Sequence, residues 1–228
     1  SESSSDTGDS TSMTLPAARN AGVGAAQAAW IAFLDSDDEW HPDKLLKQWQ
    51  FHQAHPQLRI SQTEDRWIRN GVRVTPPKKL RKKSGNIFAD SLRLCMISPS
   101  AVLLQKTLFW DCGGFPEDLP ACEDYALWLR ITLHHDVGLL PEALVTRYAG
   151  HTDQLSALYP AMDRFRISAL EKILMFIKDD SNKEMVLAIL AKKCFIVSQG
   201  SLKRGRLLQW WVYYRKQKKY RLRSSAAA

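Results

Sequence analysis

The sequence predicts an α/β domain followed by helices alone, and three observations carry that reading. "WIAFL" (residues 30–34) is a continuous apolar run of strand length, suited to a buried parallel strand. "DRWIRNGVRVT" (65–75) places Asn70-Gly71 between β-rich flanks, the signature of a hairpin with two positive-φ residues at its turn. From about Tyr159 onward the strand signals stop and the spacing becomes helical.

Taken in order, "SESSSDTGDSTSM" (1–13) has no apolar periodicity and is expected to be disordered. "LPAARNAGVGAAQAA" reads as an Ala-rich helix with Pro16 in its first turn. After "WIAFL" and a cluster of acids, Pro42 opens a helix through about Ala54, with Leu45, Trp49 and His52 along one face. Pro56 blocks its extension. "SAVLLQ" is a further strand and "CGGF" a helix stop followed by a loop. "EDYALWLRITLHH" repeats Tyr125, Leu129 and Leu133 at helical spacing. "VGLL" and "ALVTRY" read as two short strands. "MDRFRISALEKILMFIK" is amphipathic, Ser181 and Glu184 form a capping box for a helix through about Ser198, and a last helix spans about Arg206 to Leu222. The expected organisation is a polar N-terminus (1–13), an α/β domain (14–157) and a basic helical region (158–228).

The 228 residues are 45% hydrophobic and 25% charged, ample for a core. Cys95, Cys112, Cys122 and Cys194 are scattered with no C-x-x-C pair, which argues against a disulfide framework or a zinc knuckle and for reduced thiols. No uninterrupted apolar run approaches the roughly 18 residues of a membrane span, and the N-terminus is not signal-like. The expected location is the cytoplasm. The net charge of +8 is concentrated: "KKLRKK" occupies residues 78–83, and Lys203 to Arg223 holds nine Lys or Arg and no acid. Such runs are either solvated faces or patches for polyanions.

The acids of "WIAFLDSDDEWHPDKL" ask for a positive partner, because like charges this close repel. A calcium EF-hand loop from Asp35 would need Gly at its sixth position and Glu at its twelfth, where Trp40 and Leu46 stand. A dehalogenase-type phosphatase has D-x-D followed by Thr or Val two residues on, where Glu39 stands. Capping of the following helix would need one acid, not several. Beside these readings stands a hard divalent cation bridging a nucleotide diphosphate: Mg²⁺ or Mn²⁺ takes one or two carboxylates plus phosphate oxygens, at a strand's carboxyl end where α/β sheets bind ligands.

Four stretches in order carry a family resemblance. "AARNAGVGAAQAAWIAFLDSDDEWHPDKL" resembles the central segment of family 2 glycosyltransferases of the GT-A fold, and "CGGFPEDLPACEDYALWLRI" their G-G-F…E-D-x-x-L-W-x-R segment. "ISPSAVLLQKTLF" matches the strand and short helix between them, and "RYAGHTDQLS" the later Arg, His and Q-L-S. The resemblance implies an N-terminally shortened GT-A domain with an α-helical appendage. It also implies an inverting, metal-dependent transfer of a sugar from a nucleotide-sugar donor to a glycan or lipid-linked hydroxyl acceptor. By the same resemblance Asp38 is the leading metal ligand, Asp37 assists at the metal or contacts the ribose, and Asp35 either supports the ligands from behind or contacts the sugar. Arg19 lies near phosphate, unless it serves helix solubility, and Asn20 lies along the nucleotide. Asp124 is the base that takes the acceptor's proton, and Glu123 holds the loop or the donor sugar. Trp128 is either a stacking face for a sugar or a core residue. His151 either approaches the metal or is a plain loop histidine. His134 and His135, at a helix end, read as structural.

Where family members open with an apolar strand and a base-reading Asp, this sequence has "SESSSDTGDSTSMTL". "WIAFL" is therefore expected at an open sheet edge that invites association, including with a second copy. "RLLQWWVYYRKQKKYRLR" interleaves aromatics and bases and suits an anionic membrane surface through residues 203–223, at the inner face of the cytoplasmic membrane. Packing on the domain is the competing role, and nucleic acid a lesser one. Two further alternatives are an inactive remnant that acts as a binding module and a basic nucleic-acid-binding protein.

Overall fold

A computed structural model describes residues 13–149 and 161–225. Six strands form one mixed sheet, in the order β1 (Trp30–Ile31), β5 (Val102–Gln105), β3 (Ile60–Arg69), β6 (Gly138–Ala149), β2 (Asp38–Trp40), with β4 (Val72–Val74) paired to β3. Among the described residues only β3 and β6 run parallel, and every other pairing is antiparallel. Helices α1 (Leu15–Ala25), α2 (Lys44–Ala54), α3 (Phe88–Arg93), α4 (Lys106–Asp111) and α5 (Glu123–His134) cover the sheet. The chain continues with α6 (Asp163–Ile173), α7 (Asp180–Lys203) and α8 (Leu207–Ser225).

The expected hairpin is present: Asn70 (φ 51°) and Gly71 (φ 76°) turn the chain between β3 and β4. "WIAFL" differs from expectation. Only Trp30 and Ile31 are in a ladder, antiparallel to β5, and Leu34 is 49% exposed. Its partner comes far along the chain, after β2, α2, β3, β4 and α3, and the apolar run reflects burial of Ile31 and not parallel pairing. β1 ends the sheet order, and among the described residues its outer edge is unpaired. The two short strands expected before residue 150 are one strand, β6. The register shifts opposite Thr63, Glu64 and Asp65 pass Pro141 and Glu142 through a bulge, which accommodates a residue with no N–H to donate.

Helix α2 also departs from its pattern. Lys44, Gln48 and His52 are buried while Leu45 and Trp49 are exposed, so the helix turns its polar edge inward. Gln48 Nε2 donates to Ser61 Oγ (3.2 Å) and the Ala101 carbonyl (3.1 Å), and His52 Nε2 lies 2.9 Å from Ser61 Oγ. Lys44 Nζ reaches the Val102 carbonyl (3.3 Å) and the Trp40 ring (4.3 Å). Each of these side chains has a buried hydrogen-bond partner, which is what permits its burial.

Helix α5 joins two cores. Leu127, Trp128 and Ile131 pack with Ile60, Leu104 and Phe115 against the sheet, whereas Tyr125, Leu129 and Leu133 pack with Ile167, Leu170, Leu190 and Cys194 of the helical region. That region is docked on the α/β domain through a shared apolar interior. Asp179, not Ser181, caps α7, accepting from the Asn182 amide at 2.8 Å. By length and composition α7 would suffice to cross a membrane, which no uninterrupted run in the sequence indicated, yet its Val186, Leu190, Cys194 and Val197 are buried in the tail core.

Candidate active site

The acidic turn follows β1. Its backbone is fixed from the segment before β5: the Asp35 amide donates to Ser100 Oγ (3.1 Å), and the Trp40 indole donates to the Ser100 carbonyl (2.7 Å). Asp37 faces solvent and Asp35 is partly buried. Asp38 begins β2, opposite Arg147 of β6, and its side chain is 4% exposed. Asp38 Oδ2 and Arg147 Nε lie 3.8 Å apart, and among the described residues neither atom has a hydrogen-bond partner. Burial raises the Asp38 carboxyl above the usual carboxylate range, opposed by Ser100 and Arg147.

Arg19 of α1 ties the turn to α5. Its guanidinium pairs with Asp35 and, at 2.7 Å, with Glu123, while lying 5.3 Å from the Phe115 ring centre. The two acids are 88 residues apart in sequence, and one cation holds them together. Asn20, the next residue, uses both ends of its amide on the loop after the double glycine: it accepts from the Phe115 amide (3.0 Å) and donates to the Phe115 carbonyl (2.8 Å) and Glu117 (2.8 Å). A Cβ on Gly114 would come within 3.0 Å of Asn20 Oδ1 at a φ of 60°, which is why glycine stands there.

The start of α5 is strained and buried. Cys122 adopts φ 64° immediately before Glu123. Asp124 Oδ1 accepts from the Tyr125 amide (2.6 Å), and Oδ2 lies 3.4 Å from Cys95 Sγ. Burial raises the carboxyls of both Glu123 and Asp124. For Glu123 the neighbouring Asp124 adds to the rise and Arg19 opposes it; for Asp124 the Tyr125 amide opposes it.

A cavity of about 410 Å³ has Asp124 in its lining. Its lining includes Asp65, Trp67, Lys78, Arg81, Cys95 and Arg147. Asp65 is held by Lys82 Nζ (2.7 Å), with Arg147 Nη1 at 4.0 Å. The Arg147 guanidinium lies 5.3 Å from the Trp67 ring centre.

The structure thus gathers Arg19, Asp35, Glu123 and Asp124, with Asp37 at the exposed tip of the same turn. Trp128 is a correction to the stacking role: its side chain is 1% exposed and packs edge-on against Phe115, so no ring face is open to a sugar. Asn20 is committed to the loop. His151 lies outside the described residues. Ser100, Cys95 and Arg147 were not singled out from the sequence, although each belongs to or adjoins a quoted motif; Arg147 is the arginine of "RYAGHTDQLS". No pattern marks Cys95, whose position follows only from the fold.

A mixed sheet with an acidic turn at one strand end and a carboxylate pair opening the helix beside it fits the GT-A fold. The crystal structure of TarS residues 1–349 from S. aureus superposes with a TM-score of 0.66 at 18% identity, covering 94% of this chain and 63% of that one. Residues 11–113 match the family model for glycosyl transferase family 2. The chain is 32% identical over 138 residues to an uncharacterized glycosyltransferase of Rickettsia felis, covering 60% of this chain and 23% of the relative. It is 30% identical over 145 residues to the Escherichia coli UDP-Glc:alpha-D-GlcNAc-diphosphoundecaprenol beta-1,3-glucosyltransferase WfaP, covering 61% and 53%. Over residues 11–113 the chain is thus similar to the family 2 glycosyltransferases. It spans about a quarter to half the length of these curated relatives.

Proposed function

We propose that this domain transfers a sugar, with inversion, from a nucleotide-sugar donor to a hydroxyl of a glycan or lipid-linked acceptor. The observation that carries the reading is the Arg19 link, which sets the acidic turn beside the start of α5. An acceptor in the cavity would then meet the Asp124 carboxylate in its lining, near a donor on the turn. Asp124, with one oxygen fixed by the Tyr125 amide, takes the proton of the attacking hydroxyl. Glu123, held by Arg19, positions that loop.

The exposed Asp37 and the adjoining Asp35 are hard oxygen donors that fit Mg²⁺ or Mn²⁺. Among the described residues no three His, Cys, Asp or Glu gather into a cage, so the remaining positions would go to diphosphate oxygens. The bound ion would neutralise the leaving diphosphate. Asp38, enclosed beside Arg147, supports the turn from behind, and its unpartnered Oδ2 keeps it a candidate ligand. The name of the E. coli relative supports a lipid-linked acceptor, since it acts on a diphosphoundecaprenol.

A peripheral membrane location fits the tail. Leu207, Leu208, Trp211 and Val212 are exposed at the start of α8, close to Lys203, Arg204 and Arg206. The deciding experiment is calorimetric titration of UDP and GDP with and without Mn²⁺. Binding that requires the ion and is lost in Asp37→Ala is the expected result. A folded protein that binds neither nucleotide would favour a module without turnover.

A further inference from the structure

We propose that the cavity beside Asp124 selects an acceptor sugar that carries a phosphate, with Trp67 as the wall for the sugar ring and Lys78 and Arg81 as the phosphate clamp. The inference rests on the acceptor reading above and adds the chemical class of the acceptor. A volume of about 410 Å³ accommodates a small ligand of this size.

Charge pairing inside the basic run "KKLRKK" carries the argument. Lys82 is spent internally, donating to the Thr63 carbonyl and Asp65 at 2.7 Å each. Lys83 is occupied by Asp90 at 2.7 Å. Lys78 and Arg81 are exposed on the cavity's lining and, among the described residues, carry no ion pair. Lys78 opens the 3₁₀ turn Lys78–Leu80, and Arg81 is the extended residue that ends it. Leu80, between them, also lines the cavity, and Lys79 does not.

The acids of the cavity set the ligand's direction. Of the three that line it, Asp65 is neutralised by Lys82 and flanked by Arg147, whereas Glu64 and Asp124 form part of the wall and repel an anion. A sugar phosphate is therefore held with its phosphate at Lys78 and Arg81 and a hydroxyl toward Asp124. Guanidinium and ammonium together suit a phosphate dianion, the first by its fork and the second as a point charge. Trp67 and Pro76 supply the apolar wall.

The test is ligand-observed NMR of the whole chain in EDTA, which removes any metal-borne phosphate binding at the turn. The probes are N-acetylglucosamine 1-phosphate, the methyl glycoside of N-acetylglucosamine and the methyl glycoside of glucuronic acid. Binding of the phosphate alone is expected, weakened about tenfold by each of Lys78→Ala and Arg81→Ala, the loss of one charge-assisted hydrogen bond. Both positions are exposed, and an unchanged thermal melt confirms the fold. Binding should be intact in Asp37→Ala. Equal binding of the neutral or uronate glycoside, no binding at all, or loss in Asp37→Ala instead of Lys78→Ala and Arg81→Ala would each overturn the clamp. Comparing the 1-phosphate with a farnesyl-diphosphate-linked N-acetylglucosamine separates the sources: tighter binding of the prenyl form identifies a lipid-linked acceptor, and equal binding a soluble one. Mn²⁺-dependent UDP binding is measured alongside; its absence strikes the donor-site reading and leaves the clamp result standing.

Discussion

Helices α2 and α5 both lie on the sheet, yet they are held there by opposite means. Helix α5 buries an apolar body, Tyr125 to Leu133, and delivers two acids at its start. Helix α2 buries Lys44, Gln48 and His52 and leaves Leu45, Leu46 and Trp49 exposed by 45%, 58% and 44%. The difference teaches that apolar spacing fixes a helix's orientation only where no polar network offers a competing fit. Gln48 and His52 find Ser61 at a buried strand position, and that pairing sets the rotation of α2.

Four substitutions break or sharpen this contrast. Asp124→Asn removes the acid that α5 delivers, and turnover should fall on the order of 100- to 10,000-fold with the donor's binding unchanged, as kinetics and calorimetry would show. Because burial raises this carboxyl, the acidic limb of the parent's kcat/KM profile should lie above the ordinary carboxylate range. Trp128→Ala hollows the apolar side of α5 and should cost about 3–5 kcal/mol in urea unfolding. On the polar side, Gln48→Ala leaves the Ala101 carbonyl and Ser61 short of a donor and should cost about 1–3 kcal/mol in the same assay.

The smallest effect is a change of slope. Burial lowers Lys44 to about 7, below its unfolded value of about 10.4. Between those values the unfolded chain holds the extra proton, so this group makes stability rise with pH, by up to about 1.4 kcal/mol per pH unit. Lys82, also lowered by burial, acts in the same direction. Urea midpoints from pH 7 to 10 should therefore rise less steeply in Lys44→Met than in the parent.

Much of the architecture was legible because its signals are local. Asn70-Gly71 can only turn the chain, and the acids at Asp35, Asp37, Glu123 and Asp124 stand in recognisable company. What was not legible depends on contacts between distant segments. The antiparallel partner of Trp30–Ile31, the inward face of α2 and the bulge at Pro141 all follow from which strand lies alongside. The same holds for the site. The sequence offers Arg19 and Asn20 as one motif, but only the fold shows the first joining Asp35 to Glu123 while the second clamps Phe115. Trp128 looked equally suited to a sugar or a core, and burial decides it.

The sheet's central pair has a consequence for how the chain reaches this state. In the β3–β6 ladder Ser61 pairs with Gly138, so the pairing must close a long loop, with α3, β5, α4 and α5 inside it, before any of its hydrogen bonds form. The α7–α8 hairpin, by contrast, is joined across the short turn at Gly205 and needs only neighbours in sequence. Proteins dominated by distant pairings fold slowly and local helical pairs quickly. The basic helices are therefore expected to form before the sheet that carries the acids, and α5, which packs on both, is where late assembly would meet early structure.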